Sequence, residues 1–167
     1  VFTTAKSLND KFFKINNQCF YVPSGFDTNL SSKAYKKFRI LYSGTMKPIQ
    51  HPKNLWSVLA DLIESDENFE KLVEIVLIGN INPHVYSSEE FKKIKKRQII
   101  SHMSKNEIDK EIEISEVLVV CSVNMKDCND IVPGKFFHYL SSGKRILGIS
   151  NEGSDLENII TETQSGR

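Results

Sequence analysis

Cysteine is scarce in this chain of 167 residues: Cys19, Cys121 and Cys128 are odd in number, and no two form a CxxC pair. A disulfide framework or zinc knuckle needs paired thiols at short spacing, so neither is expected, and a reducing, cytosolic compartment suits this usage. An excess of one charge is also lacking, because 22 lysines and arginines face 21 aspartates and glutamates. No global basic field exists to recruit nucleic acid, and any anion site must be local. No apolar run approaches the roughly 20 residues of a membrane span. Val1-Phe2-Thr3 leads straight into a polar helix pattern and not into a signal peptide. The sequence has no G-x-S-x-G elbow, Walker loop or G-x-G-x-x-G, which weakens hydrolase, NTPase and dehydrogenase readings. Internal repeats and low-complexity segments are missing as well. What remains is a globular composition, 40% hydrophobic and 26% charged, sized for one core-bearing domain and too short for two.

Periodicity orders the chain into alternating strands and helices. Thr3 and Thr4 are N-cap candidates for a helix reaching about Ile15, and Cys19 to Val22 is a short strand pattern ended by Pro23-Ser24-Gly25. Residues 28–37 are polar and lysine-rich and read as a linker. A strand is expected at Arg39 to Tyr42, then an amphipathic helix presenting Leu55, Leu59, Leu62 and Ile63. Val73 to Ile78 and Val117 to Cys121 are near-continuous apolar runs, the pattern of strands buried on both faces of a parallel sheet. Between them the pattern predicts a charged helix over 87–97, a strand at Gln98 to Ser101 and a polar helix from Lys105 to Glu113. A helix opened by Pro133 and closed by Gly143, a strand at Arg145 to Ile149 and a helix capped by Ser154 complete the series. Such alternation implies an α/β domain with a parallel, doubly wound sheet. Ligands of these sheets bind at the carboxyl ends of the strands, which selects the loops 43–52, 79–85, 122–135 and 150–154. Both ends look abrupt, and the chain is read as a piece of a larger protein.

The stretch from Asp130 to Lys144 concentrates the chemistry. Pro133 suits a first helical position, Gly134 keeps the first turn free of bulk, and Lys135 adds a full charge beside the helix-terminal amides. That combination can hold a phosphate or pyrophosphate. It can equally be an ordinary helix start with a solvated lysine. Asp127 and Asp130 around Cys128 match no metal-ligand spacing, and no metal site is expected. The basic run Lys92 to Arg97 reads as a solvated helix face facing Glu89 and Glu90, with contact to an anionic membrane leaflet as the competing reading. His51, His84 and His102 are scattered and suggest no shared site.

Five segments in one order carry a resemblance. Pro133-x-Lys135-x-Phe137-x-Tyr139-Leu140-x-x-Gly143-Lys144 ahead of an apolar strand resembles the motif of GT-B glycosyltransferases of the large "group 1" (family 4-like) class. Val22-Pro23-Ser24-Gly25-Phe26-Asp27 resembles that family's interdomain turn. Tyr42-Ser43-Gly44-Thr45 resembles its first glycine loop, Lys53-Asn54 the start of its next helix, and Leu77-Ile78-Gly79-Asn80 its second glycine strand end. The resemblance covers about residues 19–166.

It implies a Rossmann-like domain of a two-domain enzyme, with residues 1–30 closing an N-terminal domain and its connection. Residues 31–167 would be a C-terminal nucleotide-sugar-binding domain, cut short at its end. The implied activity is hexosyl transfer from a UDP- or GDP-linked sugar, with retention, to a glycan or lipid-linked acceptor held by the other domain. No further cofactor is implied. The location would be the cytoplasm or the inner face of the plasma membrane. Carried over position by position, Lys135 and Lys53 would neutralise phosphate charge, and Ser43, Gly44, Thr45 and Lys47 would form the loop beneath the donor. Gly79 and Asn80 would border the base, and Pro133 and Gly134 the diphosphate. In that family a glutamate on this helix holds the ribose hydroxyls of the donor; its two glutamates, eight positions apart, fall on Asp130 and His138 here, which would take their places at the donor, and an arginine becomes Thr45 with Lys47 as a substitute. A neutral histidine offers one acceptor where a carboxylate accepts twice. Two other functions stay open: a sugar-nucleotide epimerase of this architecture, and a non-catalytic interaction module.

Overall fold

A computed structural model describes residues 1–26, 33, 35–123, 125 and 128–167. Asp27, most of the proposed linker and Asp127 lie outside the described residues. In chain order the elements are β1 (Phe2–Thr3), α1 (Lys6–Phe13), β2 (Phe20–Tyr21), β3 (Phe38–Ser43), a 3-10 turn (Pro48–Gln50), α2 (Lys53–Ser65) and α3 (Glu67–Leu72). They continue with β4 (Val73–Ile78), α4 (Pro83–Tyr86), α5 (Glu89–Lys92), β5 (Arg97–Ile100), α6 (Lys105–Glu113), β6 (Val117–Cys121), α7 (Lys135–Leu140), β7 (Arg145–Ile149) and α8 (Asp155–Glu162).

Five strands form one all-parallel sheet in the order β5-β4-β3-β6-β7. Consecutive residues of each inner strand face opposite layers, and both layers are apolar. Ile40, Tyr42, Ile75, Leu77, Val119 and Cys121 pack with Trp56, Leu59 and Ile63 of α2 and with Val85 and Phe91 of α4 and α5. Leu41, Val76, Ile78, Leu118 and Val120 pack with Ile112 of α6, Phe136 and Tyr139 of α7, and Leu156 and Ile160 of α8. This is why those strands read as unbroken hydrophobic runs. The chain winds outward from β3 through β4 to β5, then returns to β6 on the other side of β3, so the winding reverses between β3 and β6.

Three local expectations are corrected. Of the charged helix expected over 87–97 only α5 forms, its N-terminus capped by the Ser88 side chain, and a separate short helix, α4, precedes it, with Asn82 as cap and Pro83 in its first turn. The chain then turns inward to bury Ile94, and Arg97 opens β5. The buried stripe of α2 runs through Trp56, Leu59, Ala60 and Ile63, with Leu62 outside, because Trp56 packs edge-on to Phe91 at 5.1 Å. Neither Thr3 nor Thr4 caps α1: Ala5 holds that position without a side-chain bond, and the Thr3 hydroxyl donates to the Ala5 carbonyl. Ser104 and Ser154 do cap α6 and α8.

Strands β1 and β2 form a separate two-stranded parallel sheet. It is tied to the larger body where the Ser7 amide and hydroxyl donate to Asp155 at 3.0 and 2.9 Å. At the amino end of the sheet, buried Arg39 forms ion pairs with Glu74 at 2.8 Å and with Glu111. Among the described residues no helix is long and apolar enough to cross a membrane, and no three side chains group as metal ligands.

Candidate functional site

The reversal between β3 and β6 opens a wedge. The two strands are in register only at Ile40–Val117 and Leu41–Leu118, whereas β3 and β4 pair along all six residues of each. Beyond Leu41 the carboxyl half of β3 has no strand partner on its β6 side among the described residues, and Tyr139 of α7 reaches it there. The Tyr139 hydroxyl accepts the Ser43 amide at 2.8 Å and meets the Ser43 hydroxyl at 2.9 Å. A side chain thereby satisfies a buried amide of the open sheet edge, as buried backbone requires.

Two glycines shape the floor. Gly44 and Gly79 follow β3 and β4 with φ of 114° and 112°, a region that side chains rarely adopt. A Cβ on Gly79 would sit 2.5 Å from the Gly44 carbonyl oxygen, so two bare backbones are in contact there. A Cβ on Gly44 would lie 2.9 Å from the Lys135 ammonium. Lys135 thus reaches from the first turn of α7 into the space a side chain at position 44 would have filled. Its Nζ is buried without a hydrogen-bond partner among the described residues and lies 3.7 Å from the centroid of the Tyr42 ring. Tyr42 is held by donating its hydroxyl to the Thr45 carbonyl at 2.6 Å. Burial pulls the Lys135 pKa down from 10.5 to about 8, with Cys121 acting weakly in the other direction. Burial lifts the Cys121 thiol to about 12. A desolvated ammonium with only a ring face against it is an unsatisfied cation, and an anion is its natural complement.

The remaining loop residues lie along the same carboxyl rim. The Met46 amide donates to the Asn80 carbonyl and the Asn82 amide to the Met46 carbonyl, so the loops after β3 and β4 zip together. The Lys47 amide donates to Gln50 Oε1, and Gln50 Nε2 donates to the Cys121 carbonyl, both at 3.1 Å, which draws the 45–52 loop over the end of β6. Pro133 and Gly134 precede α7, whose first bonds run to their carbonyls from Phe136 and Phe137. With six residues, α7 has little dipole of its own, and the charge of Lys135 dominates.

Three of the predicted residues have partners elsewhere. Lys53 pairs with Glu90 of α5 at 3.3 Å, Asp130 with Lys11 of α1 at 3.2 Å, and His138 with Asp109 of α6 at 2.7 Å. The wedge therefore gathers Ser43, Gly44, Gly79 and Lys135, while those three side chains are engaged in separate pairs. In the basic run, Lys92 pairs with Glu89, Lys95 with Glu70, and Lys96 donates to the Glu70 and Lys71 carbonyls. Tyr42 and Tyr139 stand in the resembling motifs without a role of their own, and Asp109 was not singled out from the sequence. The tyrosines lie in apolar stretches that read as core, and Asp109 lies on a helix that reads as a polar face.

Comparison of the sequence with known proteins matches no family model and no curated protein. Comparison of the fold does find relatives. WaaG, a glycosyltransferase involved in lipopolysaccharide biosynthesis, superposes over 99% of this chain with a TM-score of 0.71 at 11% identity. The chain has the fold of a GT-B glycosyltransferase domain. S. aureus TarM, solved with UDP, matches 99% of the chain with a TM-score of 0.61 at 10% identity. The pneumococcal O-GlcNAc transferase GtfA, solved with UDP and GlcNAc, matches 88% with a TM-score of 0.60 at 13% identity. The chain spans 48%, 36% and 29% of the lengths of WaaG, TarM and GtfA respectively. The GT-B likeness is one of architecture.

Proposed function

We propose that this GT-B domain binds a nucleoside-diphosphate sugar, UDP- or GDP-linked, with its diphosphate in the wedge between β3 and β6. The observation that carries the reading is the buried, unpaired ammonium of Lys135 beneath the bare backbone of Gly44. An incoming diphosphate supplies the missing counter-charge, and the glycines let it approach the main chain without obstruction. As the glycosidic bond breaks, negative charge gathers on the departing diphosphate, and a fixed cation in a dry site lowers that barrier. In the whole protein the reaction would be hexosyl transfer with retention to a glycan or lipid-linked acceptor, the acceptor being held outside this domain. Binding of UDP by TarM and GtfA supports the donor class.

Calorimetric titration of the chain with UDP and GDP tests the reading. One of the two is expected to bind, and Lys135→Ala to weaken it at least tenfold, the loss of one charged contact. Binding unaffected by Lys135→Ala removes the assignment. A non-catalytic module is the second reading, favoured by the engagement of Lys53, Asp130 and His138 in pairs of their own. It predicts no heat with either nucleotide.

A further inference from the structure

The backbone of Lys135 belongs to one layer of the domain and its ammonium to the other. Helix α7 lies on the face of the sheet that carries Leu41, Leu118 and Val120, where its own Phe136 and Tyr139 pack. Tyr42 and Cys121 point to the opposite face, among Trp56, Leu59 and Ile63. Yet Lys135 Nζ lies 3.7 Å from the centroid of the Tyr42 ring. The side chain therefore crosses between the layers through the open end of the wedge, where β3 and β6 have no registered pair beyond Leu41–Leu118 among the described residues.

The end of that side chain is confined. A Cβ on Gly44 would lie 2.9 Å from Nζ and 3.3 Å from Cε, so the last two atoms of the lysine fill the space a side chain at position 44 would need. Nζ is buried and has no hydrogen-bond partner among the described residues. The Tyr42 ring beside it is fully buried and pinned, because its hydroxyl donates to the Thr45 carbonyl at 2.6 Å. Burial raises the pKa of the Tyr42 phenol far above its ordinary value, so the residue stays neutral and offers the ammonium a ring face, not a phenolate. Cys121 of β6 is the titratable neighbour on the other strand, and its thiol, pushed up to about 12, is neutral as well. The Tyr139 hydroxyl of α7 is occupied by Ser43. With these groups uncharged, the negative face of the Tyr42 ring is what attracts a cation here.

We propose that Tyr42 is a positioning residue for Lys135, its ring face holding the ammonium beneath Gly44, aimed and desolvated, before a diphosphate arrives. This rests on the diphosphate reading of the wedge. A lysine free to rotate must be immobilised by its ligand, which costs affinity, whereas one seated on a fixed ring has lost that freedom on folding. The hydroxyl of Tyr42 ties the same ring to Thr45, so one side chain sets both the cation and the start of the loop after β3.

Ring fluorination tests this, since each fluorine weakens the negative face of the ring with little change in its size. Tyr42→Phe is the reference, followed by the same substitution carrying one, two and three ring fluorines, with thermal melting to confirm that each chain folds. Burial brings Lys135 to about 8, within reach of titration on the folded chain, and its Cε and Nζ resonances are assigned by their loss in Lys135→Met. The ring favours the charged amine, so the pH at which Lys135 titrates should fall with each fluorine, three of them weakening proton binding at least about threefold. Calorimetry at pH 8 with whichever of UDP and GDP binds should show affinity falling in the same order, and no such order when Lys135→Met is added. A lysine that merely plugs the gap would titrate at one pH throughout the series, which overturns the proposal. A falling titration with level nucleotide affinity overturns it too, because the ring would then hold the ammonium without serving the site. Binding of neither nucleotide overturns the reading of the wedge, and the titration alone then decides whether the ring holds the ammonium.

Discussion

Replacing Lys135 by methionine should stabilise the fold while weakening nucleotide binding at least tenfold. Methionine has similar length and flexibility, a comparable helix propensity and no charge to desolvate. The fall in the Lys135 pKa from 10.5 to about 8 corresponds to a penalty of about 3.5 kcal/mol for keeping the ammonium buried, at about 1.4 kcal/mol per pKa unit. The Tyr42 ring, 3.7 Å away, returns about 0.5–2 kcal/mol of this. The net gain from Lys135→Met is therefore on the order of 1.5–3 kcal/mol below pH 8. For a domain of this size that is a rise in Tm of about 3–12 °C. Since the folded-state pKa lies below the unfolded one, the unfolded chain holds the extra proton between them. The wild-type penalty is thus full below pH 8, shrinks as pH rises, and vanishes above 10.5. Urea denaturation of both chains at pH 7 and near pH 10.5 measures the difference, in which other titrating groups cancel. A variant less stable than wild type at pH 7, or a gain that persists at the higher pH, would refute the idea that an unpaired buried ammonium is held in the wedge.

Four further outcomes follow from the same geometry. A diphosphate that pairs with Lys135 should draw a proton onto it, with uptake of about half a proton at pH 8. Calorimetry in buffers of different ionisation enthalpy reads this, and Lys135→Met should abolish it. Gly79→Ala places a Cβ 2.5 Å from the Gly44 oxygen at a φ of 112°, and should cost about 3 kcal/mol or more in denaturant unfolding. Gly44→Ala meets only the movable end of Lys135, so it should cost less stability than Gly79→Ala while displacing the ammonium and weakening nucleotide binding. Tyr139→Phe removes the partner of the Ser43 amide, and should cost about 1–3 kcal/mol with the fold intact by circular dichroism.

Much of the sheet was legible in the sequence because parallel strands buried on both faces leave unbroken apolar runs. Val73 to Ile78, Val117 to Cys121 and Arg145 to Ile149 could be placed from residues alone, and turn residues such as Gly44 and Gly79 marked where they end. The 87–97 region was misread because its charges show a helical period, while the Ser88 cap and the inward turn at Ile94 are set by tertiary packing. At the candidate site the glycines and Lys135 carry local signals. The side chains around them do not, because their partners are distant in sequence. Tyr139 reaches back 96 residues to Ser43, and His138 reaches back 29 to Asp109. No spacing rule links such positions. The engagement of Lys53 with Glu90 was equally invisible, since it depends on how α5 packs on α2.

The short pairing of β3 with β6 has a mechanical side. A sheet joined along one line by two registered residue pairs has a seam there, with β5-β4-β3 as one leaf and β6-β7 as the other. Near the amino rim the leaves are bound by backbone. Toward the opposite rim a phenol and an ammonium from a single helix bridge them. The Ser43 amide proton, held by a phenol and not by a strand, should therefore exchange sooner than those of β4, and anything spanning both leaves would slow it, reporting its arrival without touching the amide.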